Sequence, residues 1–319
     1  MHTLHDKHTS AAGPWAADAL PIIDAHHHLW ALASGHYPWL QDEYIGDQFF
    51  LGPYRSFCVD FQAPDYLQRS RRHPLVGTVH IEAERDRAEA LAETEWLHQV
   101  HAQYGFPNAV VAYADFGAAD IDDQLRRQAA FALVRGIRCK PTTAARPDAP
   151  RPQAGSMGDP RWLDGLQQLE RYGLSWDVRV PVWHLEEAAA VAGEFPGIAI
   201  VVNHTGLPWD RSADGLGKWR RGLERLAAHP HVCLKLSEFG VRDADWNPSE
   251  VRQIIRQAIA IFGASRCMFG SNFPVSSLKV DYDLLVATFT EALSDLPREQ
   301  AEAVMAGTAA RFYRIEPAS

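Results

Sequence analysis

Short apolar, β-branched runs alternate with amphipathic stretches along this chain, and that alternation restricts the fold more than any other feature. The runs cover residues 20–26, 75–83, 108–116, 132–140, 174–182, 198–204, 232–240 and 267–274. Between them, residues 87–105 and 249–263 carry apolar side chains at helical spacing. Residues 160–173 open with Pro160 and end with Gly173, as a helix does. Strands that alternate with helices pair in parallel through right-handed crossovers. Eight such units are expected to close into a (β/α)8 barrel, a single α/β domain over residues 20–316.

A barrel of this kind carries its chemistry at the C-terminal ends of its strands. Polar side chains end nearly every run: His26 and His28, then His80, Glu82 and Glu84, then Arg138 and Lys140. His184 follows the fifth run, Asn203 and His204 end the sixth, Lys235, Ser237 and Glu238 lie in the seventh, and Ser271 and Asn272 in the eighth. Each would cost free energy in a generic core unless paired. The segment DAHHHLW at 24–30 stands out. Strict strand alternation puts Asp24, His26 and His28 on one face and His27 on the other. Two imidazoles so placed can grip a metal ion or a substrate oxygen from the same side. Long connections at 29–74, rich in aromatics, and at 142–160 are expected to cover or shape a pocket, or to pack beneath themselves.

Composition narrows the function classes. A formal net charge of -9 argues against nucleic acid as a partner. No apolar run approaches the roughly 20 residues that span a bilayer. Residues 1–19 lack the basic-then-apolar pattern of a secretory signal and read as a flexible leader, so a cytoplasmic protein is expected. Four cysteines without CxxC spacing read as free thiols in a reducing compartment. An oligomer is neither required nor excluded.

Three motifs in order, HxH at 26–28, NHTGLP at 203–208 and FGSNFPV at 269–275, resemble the amidohydrolase superfamily, in particular the branch holding L-fuconolactonase-like and 2-pyrone-4,6-dicarboxylate lactonase-like proteins. VHIEAE (79–84), VRGIRCKP (134–141), LKLS (234–237) and TAARFYRI (308–315) also resemble family signatures, so the similarity covers 20–316. The resemblance implies that His26 and His28 bind a divalent metal, zinc first among the candidates, or hold substrate without one. It implies that His184 can be a third metal ligand, and that His204 is an acid/base or carbonyl polariser. At strand eight the family pattern has an aspartate that ligates metal and takes a proton from water; here the residue is Asn272. An amide is no base and a weak ligand, so His204 and Glu82, with Glu238 third, become the candidate bases.

The expected activity is hydrolysis of a small lactone, of sugar-acid or aromatic-degradation type, by water attack on a polarised carbonyl. His204, Asn272 and Glu82 are the candidate catalytic residues. His26, His28, Arg138, Lys140 and Lys235 are candidate contacts for an acidic or polyhydroxylated substrate; Arg138 can fork a carboxylate or, like Lys140, pair with Glu82, and Lys235 can equally fill a structural role. Two alternatives stay open: a metal-dependent decarboxylase of an aromatic or unsaturated acid, and a non-catalytic binding barrel, suggested by Asn272.

Overall fold

The computed structural model describes residues 19–42 and 44–316. The leader expected over 1–19 lies, but for its last residue, outside them. Eight strands form one sheet in sequence order: β1 (Ile22–His27), β2 (Leu75–Ile81), β3 (Ala109–Ala112), β4 (Val134–Ile137), β5 (Ser175–Val178), β6 (Ile200–Val202), β7 (Val232–Leu236) and β8 (Cys267–Phe269). Every neighbouring pair is parallel. The strands are shorter than the apolar runs because, after the first, the tail of each run leaves the ladder at the C-terminal rim. The barrel closes at that rim too. The Asn272 N–H donates to the His26 carbonyl at 2.6 Å, and the His28 N–H donates to the Phe273 carbonyl at 2.8 Å. The closing seam and the HxH motif are therefore one place.

Alternation sorts the core into two layers. Ile23, Ala25, Val79, Ile81, Val111, Val201, Cys233 and Met268 point inward and meet Ala309 and Tyr313 from the C-terminal helix Thr308–Tyr313. The other faces of the strands pack against the surrounding helices. Local signals set the helix ends. The helix Pro248–Phe262 starts with Pro at its first position and Asn247 accepting from the Glu250 N–H at 3.3 Å. Ala90–Tyr104 ends at Gly105, left-handed at φ 75°. The helix expected over 160–173 divides into Pro160–Gln167 and Leu169–Tyr172. No helix among the described residues is long and apolar enough to cross a membrane, and the four cysteines are free thiols.

Candidate active site at the barrel mouth

β1 does not keep strict alternation. Its register against β2 shifts between Asp24 and His27. His27 stacks on Tyr66 with ring centroids 4.4 Å apart, and Asp24 accepts from the Tyr66 hydroxyl at 2.7 Å. Tyr66 belongs to the outer packing layer. The expectation that Asp24 shares a face with His26 and His28 is thus corrected. Asp24 instead ties β1 to the eighth strand by accepting from the Ser271 N–H at 2.8 Å. His26 and His28 stay together, ring centroids 5.1 Å apart, and His26 lies 4.5 Å from His204. Gly270 makes room for this: a Cβ there would come within 2.9 Å of the His26 Cβ.

The rim is strained. Glu84, His204, Thr205, Leu207, Glu238 and Asn272 all have left-handed backbone, with φ between 51° and 57°. Such residues cost about 1 kcal/mol or more each and persist where their surroundings hold them, often at working sites. The His204 Nδ1 is 3.1 Å from the Ser237 hydroxyl, and its Nε2 has no hydrogen bond among the described residues. His28 Nδ1 donates to the Ile81 carbonyl at 2.8 Å, and its Nε2 lies 3.2 Å from Asn272 Oδ1. Burial holds the His204 and His28 imidazoles well below their ordinary pKa, and the nearby guanidinium charges add to it. His26 is buried with both ring nitrogens unpartnered; burial and then Lys235 push its pKa down as well. Burial therefore disfavours the protonated form of each ring.

A cavity of about 230 Å³ opens above His28, His204 and Asn272. Trp39, Phe49, Phe50 and Tyr54, from the long connection after β1, form one wall. Trp30 and Tyr37 of the same connection are buried, so the aromatics both cover the pocket and pack beneath it. Glu84, Arg138, Lys140 and Arg179 form the ionic wall. Arg138 Nε donates to Glu82 Oε1 at 2.7 Å and its Nη2 to the Glu82 carbonyl at 2.5 Å, while Arg87 donates to Glu82 Oε2 at 2.8 Å. Lys140 pairs with Glu84. Burial draws the Lys140 ammonium down to about 8 against the pull of Glu84. Arg179 has no carboxylate or hydrogen-bond partner among the described residues and sits 5.4 Å from the Phe50 ring. Sequence reading passed over it, although a charged residue two positions beyond Asp177 in an apolar run was a usable signal.

Three expected roles are corrected by what these side chains touch. Glu82 does not line the cavity, and both its oxygens are taken. Burial pushes its carboxyl up, but Arg138 and Arg87 outweigh that and hold it low, so it is a poor base. Lys235 is fully buried below the site, donating to Asp177 at 2.6 Å, and cannot reach substrate. His184 has both nitrogens engaged: Nδ1 donates to Glu187 at 2.8 Å and Nε2 accepts from the Ala144 N–H at 2.9 Å. It fastens the connection after β4 and has no lone pair left for a metal.

The resemblance raised a divalent ion on His26, His28 and His184. With His184 spent and an amide at 272, the donor set is incomplete, and no three His, Cys, Asp or Glu side chains among the described residues converge where they could hold an ion. The residues present do not fit that metal.

Comparison with known proteins places the chain among barrels of one family. The amidohydrolase family model matches residues 23–315. An uncharacterized protein, y4mH, of Sinorhizobium fredii is 34% identical over 299 residues, covering 93% of this chain and 99% of its own. L-fucono-1,5-lactonase of Burkholderia multivorans is 29% identical over 316 residues, covering 93% of this chain and 97% of its own. The crystal structure of an amidohydrolase from Burkholderia multivorans with bound zinc superposes with a TM-score of 0.77 at 25% identity, covering 92% of this chain and 99% of that one.

Proposed function

This chain belongs to the amidohydrolase family, and from that premise we propose that it hydrolyses a small lactone bearing a carboxylate. The observation that carries the reading is a neutral His204 at the floor of a cavity whose ionic wall leaves one cation, Arg179, without an anion among the described residues. Arg138, Lys140 and Arg179 face Glu84 there, with Glu82 behind Arg138.

His204 accepts a proton from the attacking water through Nε2 and returns it to the ring oxygen as the acyl C–O bond breaks, while Ser237 fixes the ring through Nδ1. A neutral imidazole is competent for this; a protonated one is not. The lactone carbonyl is polarised by N–H donors at the cavity, from Asn272 and from the Arg138 Nη1, which Glu82 leaves unused. Arg179 pairs with the substrate carboxylate in a forked contact. The aromatic wall stacks on the ring and keeps bulk water out. The sequence relationship to L-fucono-1,5-lactonase supports ring opening as the reaction. The unpaired Arg179 supports an acidic rather than a purely hydroxylated substrate.

Lactone opening releases a proton at neutral pH, so a pH-stat assay on a panel of carboxylated and neutral lactones tests the reading. Turnover of at least one carboxylated lactone, at higher kcat/KM than its neutral counterpart, is expected. No turnover of any lactone overturns it.

A further inference from the structure

Behind the strand-eight amide stands a carboxyl group from the neighbouring strand. Asn272 Nδ2 donates to Glu238 Oε2 at 2.5 Å. The Ser276 hydroxyl donates to the same oxygen at 3.1 Å, and the Gly240 N–H donates to Oε1 at 3.0 Å. Glu238 is 2% exposed and has no ion pair among the described residues. It immediately follows Ser237, the partner of His204, and adopts left-handed backbone at φ 51°, as Asn272 does at φ 54°. Two strained residues on adjacent strand ends are thus spent on one hydrogen bond.

The other end of the amide reaches His28. Because the Ile81 carbonyl can only accept, His28 Nδ1 carries a proton there. Its Nε2 then faces an amide oxygen at 3.2 Å. Two acceptors do not bond. The contact is satisfied either by a second proton on His28, with Glu238 ionised, or by a half-turn of the amide, which then donates to Nε2 and accepts a proton from Glu238. In both arrangements His28 and Glu238 share one proton through Asn272.

We propose that Glu238 and Asn272 together replace the carboxylate that strand eight lacks, with Glu238 supplying the acid group and Asn272 connecting it to His28. Glu238 does not line the cavity and is a positioning residue. The pairing also explains why residue 272 is an amide: an aspartate there would set two carboxylates against each other, which like charges resist. The inference rests on the lactonase reading only for its kinetic arm.

The test compares wild type, E238Q, N272D and the swapped pair E238Q/N272D. Each single variant is expected to lower kcat about 10²-fold, the lower end for loss of positioned acid–base help, with KM within about threefold of wild type. The swap, which restores one acid and one amide in contact, is expected to recover kcat to within about tenfold of wild type. An unchanged kcat in E238Q, or a swap no better than the worse single variant, overturns the proposal. A second readout is independent of activity: the 15N shift of His28 Nε2 is expected to move in E238Q and to stay put in a control outside the network, D214N, at an exposed position paired with Lys218. If wild type opens no lactone, the lactonase reading fails, and this shift alone decides; an unmoved Nε2 rejects the coupling. If E238Q does not fold, the swap against wild type decides by the same two readouts.

Discussion

Two polar layers sit one above the other in this barrel and differ in one respect. In the lower layer Lys235 donates to Asp177, and so do Asn203 and the Tyr313 hydroxyl, at 2.6, 3.0 and 3.0 Å. Asp177 and Lys235 are fully buried. Among the described residues of the upper layer, His204 has an unused Nε2, Arg179 has no anion, and His28 faces a second acceptor. Left-handed non-glycine residues gather at the upper layer. Both layers are polar ends of apolar runs in the sequence. The Asp177 carboxylate is saturated and builds the scaffold, whereas the unused donors and acceptors that line the cavity are the ones available to a ligand.

The division breaks or holds on a few substitutions. The largest effect is expected from Lys235→Met, which leaves Asp177 as an uncompensated buried charge and costs about 3–5 kcal/mol of stability. A denaturant titration that finds no loss would put Lys235 outside the scaffold. Arg179→Gln should lower kcat/KM for carboxylated lactones about 10- to 100-fold, the worth of a hydrogen bond to a charged group, while neutral lactones and the Tm hold. Equal loss on both substrates would assign Arg179 to packing.

The upper-layer histidines give a pH signature. Their folded pKa values lie below the unfolded 6.5, so the unfolded chain takes up protons first. Their stability contribution is complete above pH 6.5 and is lost as pH falls, by about 1.4 kcal/mol per pH unit for each histidine. Glu93 acts oppositely. Burial, and then Glu82, raise its pKa to about 8, so its contribution is complete below 4.5 and is lost as pH rises through 8. Glu93 opposes the histidines between pH 7 and 5, so a stability that rose as pH fell through that range would contradict the lowered imidazole pKa values. The smallest effect belongs to His184→Ala. It removes the tie to Ala144 and Glu187 for about 1 kcal/mol and should leave kcat within about twofold, as measured on the same lactone.

The barrel was legible because period and punctuation are local properties: each apolar run and each Pro or Gly boundary is written in neighbouring residues. His26, His28, His204 and Asn272 were legible for a related reason, since a barrel sends strand ends to one rim. Saturation was not. Whether Lys235 meets Asp177 or His184 meets Ala144 depends on register and loop path between residues 58 and 40 positions apart, whereas an ion pair between Glu82 and Arg138 was readable as an alternative from their places on nearby strands. The Asp24 assignment failed because an irregularity in one strand reverses facing. Arg179 was overlooked because a lone arginine in an apolar run has no motif around it.

The most direct test is to measure kcat and Tm side by side for His204→Asn on a lactone that wild type opens. Loss of the base is expected to lower kcat by about 10²–10⁴-fold, with the Tm within about two degrees of wild type, as for a change that opens no cavity. A variant that turns over at the wild-type rate, or whose loss of rate is matched by loss of folded protein, would contradict the assignment of chemistry to the upper layer.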